Sequence, residues 1–189
     1  MKKALLIASV LFIAVISTAC INNIAVQELN NKASEFMQKG DYESAVSRLQ
    51  ASIDLDSTMY QTYYNLGIAA TNAKKYDIAI DAFEDGMKLK TEYPNFYYSL
   101  AIAQSAYADS LLEGEEVSTD EDEEDEKKEI SDEDKTKAAE LKVKAVINLK
   151  KYLELSPNAE DKETVEELIK DCEASGKEPE AQETKVLEG

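Results

Sequence analysis

Histidine and tryptophan are absent from this 189-residue chain, while proline occurs three times, glycine six times and cysteine twice. Without histidine, the commonest general base and the commonest zinc ligand are both missing. So few prolines and glycines, beside abundant Ala, Leu, Glu and Lys, favour helices throughout. The period-two alternation of strands is missing as well. Positive charge is short: 21 Lys and Arg stand against 39 Asp and Glu, a formal net charge of -18. No basic patch exists to neutralise phosphates, which argues against a nucleic-acid partner. The chain has no Gly-rich phosphate loop and no Cys-x-x-Cys, and its serines lack any base that chain order would pair with them. It is therefore not read as an enzyme, and no catalytic residue, cofactor, metal or small-molecule substrate is expected.

Only one long hydrophobic run is present, and it stands at the start. Lys2 and Lys3 precede an apolar stretch from Ala4 to Ile16, followed by small residues at Ser17 and Ala19. That order is the layout of a secretory signal, and the run is too short to span a bilayer comfortably. Its end, Ile16-Ser17-Thr18-Ala19-Cys20, resembles the lipobox of bacterial lipoproteins, with Ser17 where that family usually has leucine. The resemblance implies that residues 1–19 are removed and that Cys20 is the lipid attachment residue. Loss of Lys2 and Lys3 takes the formal charge from -18 to -20. Acyl chains contribute about 0.8 kcal/mol per buried methylene, so such an anchor holds to a membrane without any spanning helix. Ile21 follows the cysteine, and no Asp stands there to signal inner-membrane retention. That favours the outer membrane in a two-membrane cell and the outer leaflet of the plasma membrane otherwise. Ordinary signal-peptidase cleavage is the alternative, and would leave Cys20 to pair with Cys172.

Compared with itself at a shift of 34 residues, the chain aligns Tyr42 with Tyr76, Ala45 with Ala79, Leu49 with Phe83 and Leu55 with Leu89. Each unit reads as two amphipathic helices, with small alanines where the helices approach and bulky residues one turn later. The pattern resembles the tetratricopeptide repeat. Residues 60–93 carry it best, through Tyr63, Leu66, Gly67, Ala70, Tyr76, Ala79, Phe83 and Gly86. Residues 26–59 form a first unit, with Leu29, Ala33, Phe36, Gly40, Tyr42 and Ala45, although Lys32 replaces the usual leucine. A third unit, 94–158, begins with Pro94, Tyr97, Leu100 and Ala101 and resumes at Ala145, Leu149, Tyr152 and Pro157. The expected fold is all-α, a short tetratricopeptide-like solenoid of about three such units. A capping helix over 159–175 would bury Val165, Leu168, Ile169 and Cys172. Residues 20–25 would be a lipidated tether, and 176–189, polar and containing Pro179, are expected to be disordered.

The third unit is split by an insertion over 113–134. Between Leu112 and Lys135 stand fourteen acidic residues against two lysines. A segment so poor in apolar side chains cannot offset its ordering entropy, so disorder is expected. Its flanks are expected to be over-long helices, one running on through Tyr107, Leu111 and Leu112, the other capped by Ser131. The acids lack the Asp-x-Asp-x-Asp-Gly spacing of a calcium loop and read as a solvated charge brush.

Stacked repeats of this kind bind partners along a concave side lined by the first helix of each unit. The repeat phase places Asn30, Ser34 and Met37 there in unit one. In unit two it places Tyr64, Asn65, Ile68, Thr71 and Asn72, and in unit three Tyr98, Ser99, Ile102 and Ser105. Tyrosine and asparagine together can bond the backbone of a peptide. Packing between helices is the competing role for Tyr64 and Tyr98. Relatives that grip C-terminal carboxylates use Lys and Arg at these positions, and this chain has none there. The expected role is a membrane-anchored scaffold for an envelope protein or peptide. A protein working through its acidic hairpin is the second reading.

Overall fold

A computed structural model describes residues 23–113 and 130–176. The expected leader, Cys20, nearly all of the acidic insertion and the tail after Gly176 lie outside the described residues. Seven helices and no strand occur among the described residues. The first, α1, covers 23–38. It is followed by α2 (Tyr42–Leu55), α3 (Tyr60–Asn72), α4 (Tyr76–Leu89), α5 (Pro94–Leu112), α6 (Asp132–Leu155) and α7 (Lys162–Ser175). The chain divides into two compact units, one ending at Ser99 and the other beginning at Leu100.

In the unit ending at Ser99, the turns between paired helices are built alike. Gly40 has φ 75° and Lys74 has φ 57°, both left-handed. At each turn this residue's N–H returns to the carbonyl three back (Met37, Thr71), and the next N–H to that five back (Phe36, Ala70). These are Schellman caps, which reverse the chain sharply enough to make neighbouring helices antiparallel. Asp41 then caps α2 by accepting the Ser44 N–H at 3.1 Å. Lys75, at the same point before α4, makes no side-chain cap.

Packing follows the repeat phase. Ala45 and Ala79 are fully buried, as are Leu49 and Phe83 one turn later. Gly67 lets two helices approach closely: a methyl group there would overlap the Phe83 ring. Gly86 does the same for Phe96. Tyr60, Tyr64, Phe83, Tyr93 and Phe96 form one aromatic cluster, with edge-on contacts such as Tyr64–Phe96 at 5.5 Å between ring centroids.

The longest helices among the described residues are α5, at 19 residues, which enters the unit beginning at Leu100, and α6 within that unit, at 24. Ser131 caps α6 by accepting the Asp134 N–H at 3.0 Å, and acids fill the first turn, where the dipole favours them. Ala138, Leu141, Ala145, Leu149 and Tyr152 bury one face of α6. Val165, Ile169 and Cys172 of α7 are buried, and Leu168 is half-buried. Cys172 is a free thiol. No helix among the described residues is long and apolar enough to cross a membrane.

Candidate functional site: an uncharged cavity on the first helices

The residues of the anticipated binding face fall into several distinct environments. Asn30, Ser34, Met37 and Asn65 come together around one open cavity of about 350 Å³, with Gln38 at its edge and Ala33 and Leu49 also lining it. No charged side chain lines this cavity. Asn30 is half-buried because its amide donates to the Val26 carbonyl at 2.9 Å and to the Ser52 hydroxyl at 2.8 Å. Ser52 is itself fully buried, so Asn30 ties α1 to α2 while edging the cavity. Ser34 and Asn65 are exposed and Met37 is half-buried. The lining therefore offers hydroxyl and amide groups beside a flexible thioether, able to bond a peptide backbone and accept an apolar side chain.

Further along α3, Ile68 and Thr71 are half-buried and Asn72 is exposed. Asn72 donates its amide to the Ile68 carbonyl at 2.8 Å, and Thr71 its hydroxyl to the Gly67 carbonyl at 2.8 Å. Both side chains are spent on their own helix.

Tyr64 and Ser99 occupy another environment. Tyr64 is half-buried in the aromatic cluster, with Phe83, Tyr93 and Phe96 around its ring. Its hydroxyl accepts a hydrogen bond from the Ser99 hydroxyl at 3.3 Å, and Ser99 is buried. Tyr98 is half-buried. Of the two roles open to Tyr64, the packing role accounts for these contacts.

Ile102 and Ser105 lie in the unit that begins at Leu100, where both are half-buried. The Ser105 hydroxyl accepts from Lys142 Nζ at 2.9 Å and sits 3.8 Å from the Cys172 sulfur. Lys142 is buried and ion-paired with Asp109 at 2.6 Å. Beside them the Asn148 amide donates to buried Gln104 at 2.9 Å. Ser105 thus serves a polar cluster joining α5, α6 and α7. The lysine that engages it is 37 residues away in sequence, so repeat phase alone gave no signal for the pair. Gln38 was also missed, although its position one turn after Ser34 could have marked it: its amide donates to Ser34 at 3.4 Å. No cluster of metal-ligating side chains occurs among the described residues.

Comparison with known proteins accords with this geometry. Residues 60–93 match the tetratricopeptide repeat family. No curated protein matches the chain. Among solved structures, the first tetratricopeptide domain of Spaghetti (RPAP3), bound to an HSP90 peptide, is similar. It is 16% identical, with a TM-score of 0.56, over 79% of this chain and 91% of that one. The Arabidopsis OM64 tetratricopeptide domain is 14% identical, with a TM-score of 0.57, over 81% of this chain and 98% of that one. The Yersinia enterocolitica type III secretion chaperone SycD, in complex with a peptide of the translocator YopD, is 21% identical. There the TM-score is 0.56, over 80% of this chain and 94% of that one. At these identities the likeness is one of fold. The chain is an all-α protein of tetratricopeptide fold that carries a tetratricopeptide repeat at residues 60–93.

Proposed function

We propose that this chain is a protein–protein adaptor of the bacterial cell envelope, held to a membrane by lipid on Cys20, and that it takes a peptide segment of its partner into the cavity between α1 and α3. One observation carries the reading. The cavity formed by Asn30, Ser34, Met37, Gln38 and Asn65 is open and lined without charge. Such a lining suits an extended segment recognised through its backbone rather than through a terminal carboxylate. Two neighbours of the same fold hold peptides, the HSP90 peptide in one and the YopD peptide in the other, which supports a peptide ligand here. The lipobox-like run ending at Cys20 supports the anchor. Its place in the envelope, at the outer membrane or the plasma membrane's outer leaflet, is part of the same proposal.

The test places a photoreactive amino acid at Asn65 of the full chain in its native envelope. A discrete adduct with one partner is expected. It should vanish when Ser34→Arg fills the cavity, with the melting temperature unchanged because Ser34 is exposed. The same label at exposed Asp81 is the control. Equal adduct patterns from positions 65 and 81 would overturn the reading, as would an adduct indifferent to Ser34→Arg.

A further inference from the structure

Helix α6 has an apolar outer face that breaks the repeat pattern. A groove of about 560 Å³ runs between α6 and α7, with Val143, Val146 and Ile147 on one side and Lys170, Glu173 and Ala174 on the other. Val143 is 52% exposed and Ile147 62%. They stand two residues before and two after the buried Ala145. The same positions around Ala45 are Glu43 and Ser47, and around Ala79 they are Asp77 and Asp81, all exposed. Packing of the repeat therefore does not require apolar side chains there. Two neighbouring aliphatic residues left to water, at positions that are polar in both other units, mark a surface that something covers.

The residues around that pair identify the occupant. Thr136, Glu140, Val143, Ile147, Lys150 and Glu154 are all exposed and follow one another along α6 at alternating steps of four and three. Such a stripe is the seam by which one helix lies along another. It is also self-complementary about Ala145. Val143 and Ile147 are equally far from that centre, and so are Glu140 and Lys150, of opposite charge, and Thr136 and Glu154. A two-fold axis there sets each residue opposite its counterpart in the other copy. We propose that this face pairs with the same face of a second copy, α6 against α6, antiparallel. Val143 then meets Ile147 of the other copy twice over, with a Glu140–Lys150 pair at each end.

Charge permits this approach and fixes its direction. Glu140 forms no ion pair among the described residues. Lys150 holds Glu173 at 2.8 Å but stays largely exposed, and an ammonium with three donors can take a second carboxylate. Beside Val143 and Ile147, Glu140 and Glu173 stand against Lys144, Lys150 and Lys170. The face thus lacks the acidic excess of a chain whose formal charge is -18. The two Lys144 side chains approach each other at the flank, and Glu140, one turn earlier on each helix, offsets their repulsion. Parallel pairing would set Glu140 against Glu140 and bring together the acids of both first turns, Asp132, Glu133 and Asp134. Antiparallel pairing separates the two copies of Glu133 by about 36 Å along the helices, several times the Debye length of about 8 Å. Four aliphatic side chains and two ion pairs make a small, reversible interface, so dimerisation follows local concentration.

The test substitutes p-benzoylphenylalanine for exposed Thr136 in the full chain and irradiates intact cells. The expected product has twice the chain mass and joins position 136 to the tryptic peptide Tyr152–Lys162, which carries Glu154. Within one helix, positions 136 and 154 are about 27 Å apart, so this adduct requires two copies. Ile147→Asp should lower its yield about fivefold or more with the helical melt unchanged, because it sets a charge in the apolar centre. Glu140→Lys and Lys150→Glu should each lower it about threefold, by opposing like charges at both ends. Produced together in one cell, those two variants should recover the yield, since every 140–150 pair between them is again of opposite sign. An adduct with lipid or another protein in place of the dimer would overturn the proposal. So would a dimer joined through Thr136–Lys142 of both copies, a yield indifferent to Ile147→Asp, or no recovery in the mixture.

Discussion

Single residues here are set by backbone sign and by the fate of each polar atom. Gly40 and Lys74 hold equivalent Schellman positions with φ 75° and 57°, yet only one of them is glycine. A side chain in the left-handed region costs about 1 kcal/mol. Lys74→Gly should therefore stabilise by up to about 1 kcal/mol, and Gly40→Ala should destabilise by a similar amount, since nothing near Gly40 would meet the added methyl. Denaturant melts of the two variants check this, and shifts of the same sign would contradict it. Thr62 is a different case. It is buried, and its hydroxyl has no partner among the described residues. Thr62→Val removes an unsatisfied polar atom at nearly constant volume, so stability should rise or hold, whereas burying a satisfied hydroxyl's replacement would cost about 1 kcal/mol. Asp56 gives a pH signature. Its carboxylate accepts the Thr58 hydroxyl at 2.6 Å and the Thr58 N–H at 2.9 Å, and these bonds hold its pKa below the ordinary carboxylate value. A depressed folded pKa means its contribution is present above the ordinary aspartate value and lost as pH falls through the folded one. Thr58→Val should move the Asp56 titration upward, read by carboxyl NMR, though not fully, because the backbone N–H remains.

At the scale of the element, helix pairs are set by small residues facing large ones. Ala79 is fully buried beside the close approach of Phe83 to Gly67. Ala79→Leu should overpack that pair at a cost of about 1–3 kcal/mol, whereas Asp81→Leu, at an exposed position of α4, should stay within about 0.5 kcal/mol. Equal losses at the two sites would mean that the helix phase is wrong. The aromatic cluster changes what substitution of Tyr64 can report. Its ring meets three others, and its hydroxyl accepts from Ser99. Tyr64→Ala should therefore lower stability by about 2 kcal/mol or more and cannot serve as a clean probe of binding. Exposed Ser34 and Asn65 are the better probes.

For the whole molecule, charge is the governing quantity, and the anchor proposed at Cys20 is tested at the same scale. A formal charge of -18 is concentrated by the acidic run before Lys135. If the cavity on α1 and α3 is the binding site, deleting residues 114–130 should leave capture of the partner intact while flattening its dependence on salt. Loss of capture would favour the acidic segment as the working part. If Cys20 carries lipid, Cys20→Ser should move the protein from the membrane to the soluble fraction, and mass spectrometry of the N-terminal peptide should find a diacylglyceryl adduct in the parent chain.

The sequence by itself determined the all-helical fold and that Ala45 and Ala79, with Leu49 and Phe83 one turn later, face inward. Helical periodicity and turn chemistry are local properties, read within a few residues of each position. Ser131 as a cap and Val165, Ile169 and Cys172 as a buried stripe were legible for the same reason. Only the tertiary structure decided what neighbours on one face do. Tyr64 and Asn65 are adjacent in sequence and share the first helix of their unit. One is drawn among the rings of α4 and α5 and the other is left at an open cavity, because the difference depends on which distant side chains arrive beside each. Ser105 carries the same lesson, since its partner Lys142 comes from a helix beyond the insertion, at a separation no repeat period encodes. Apolar exposure at Val143 and Ile147 also needed the fold, because a sequence shows that two residues are aliphatic but not that their face was left uncovered.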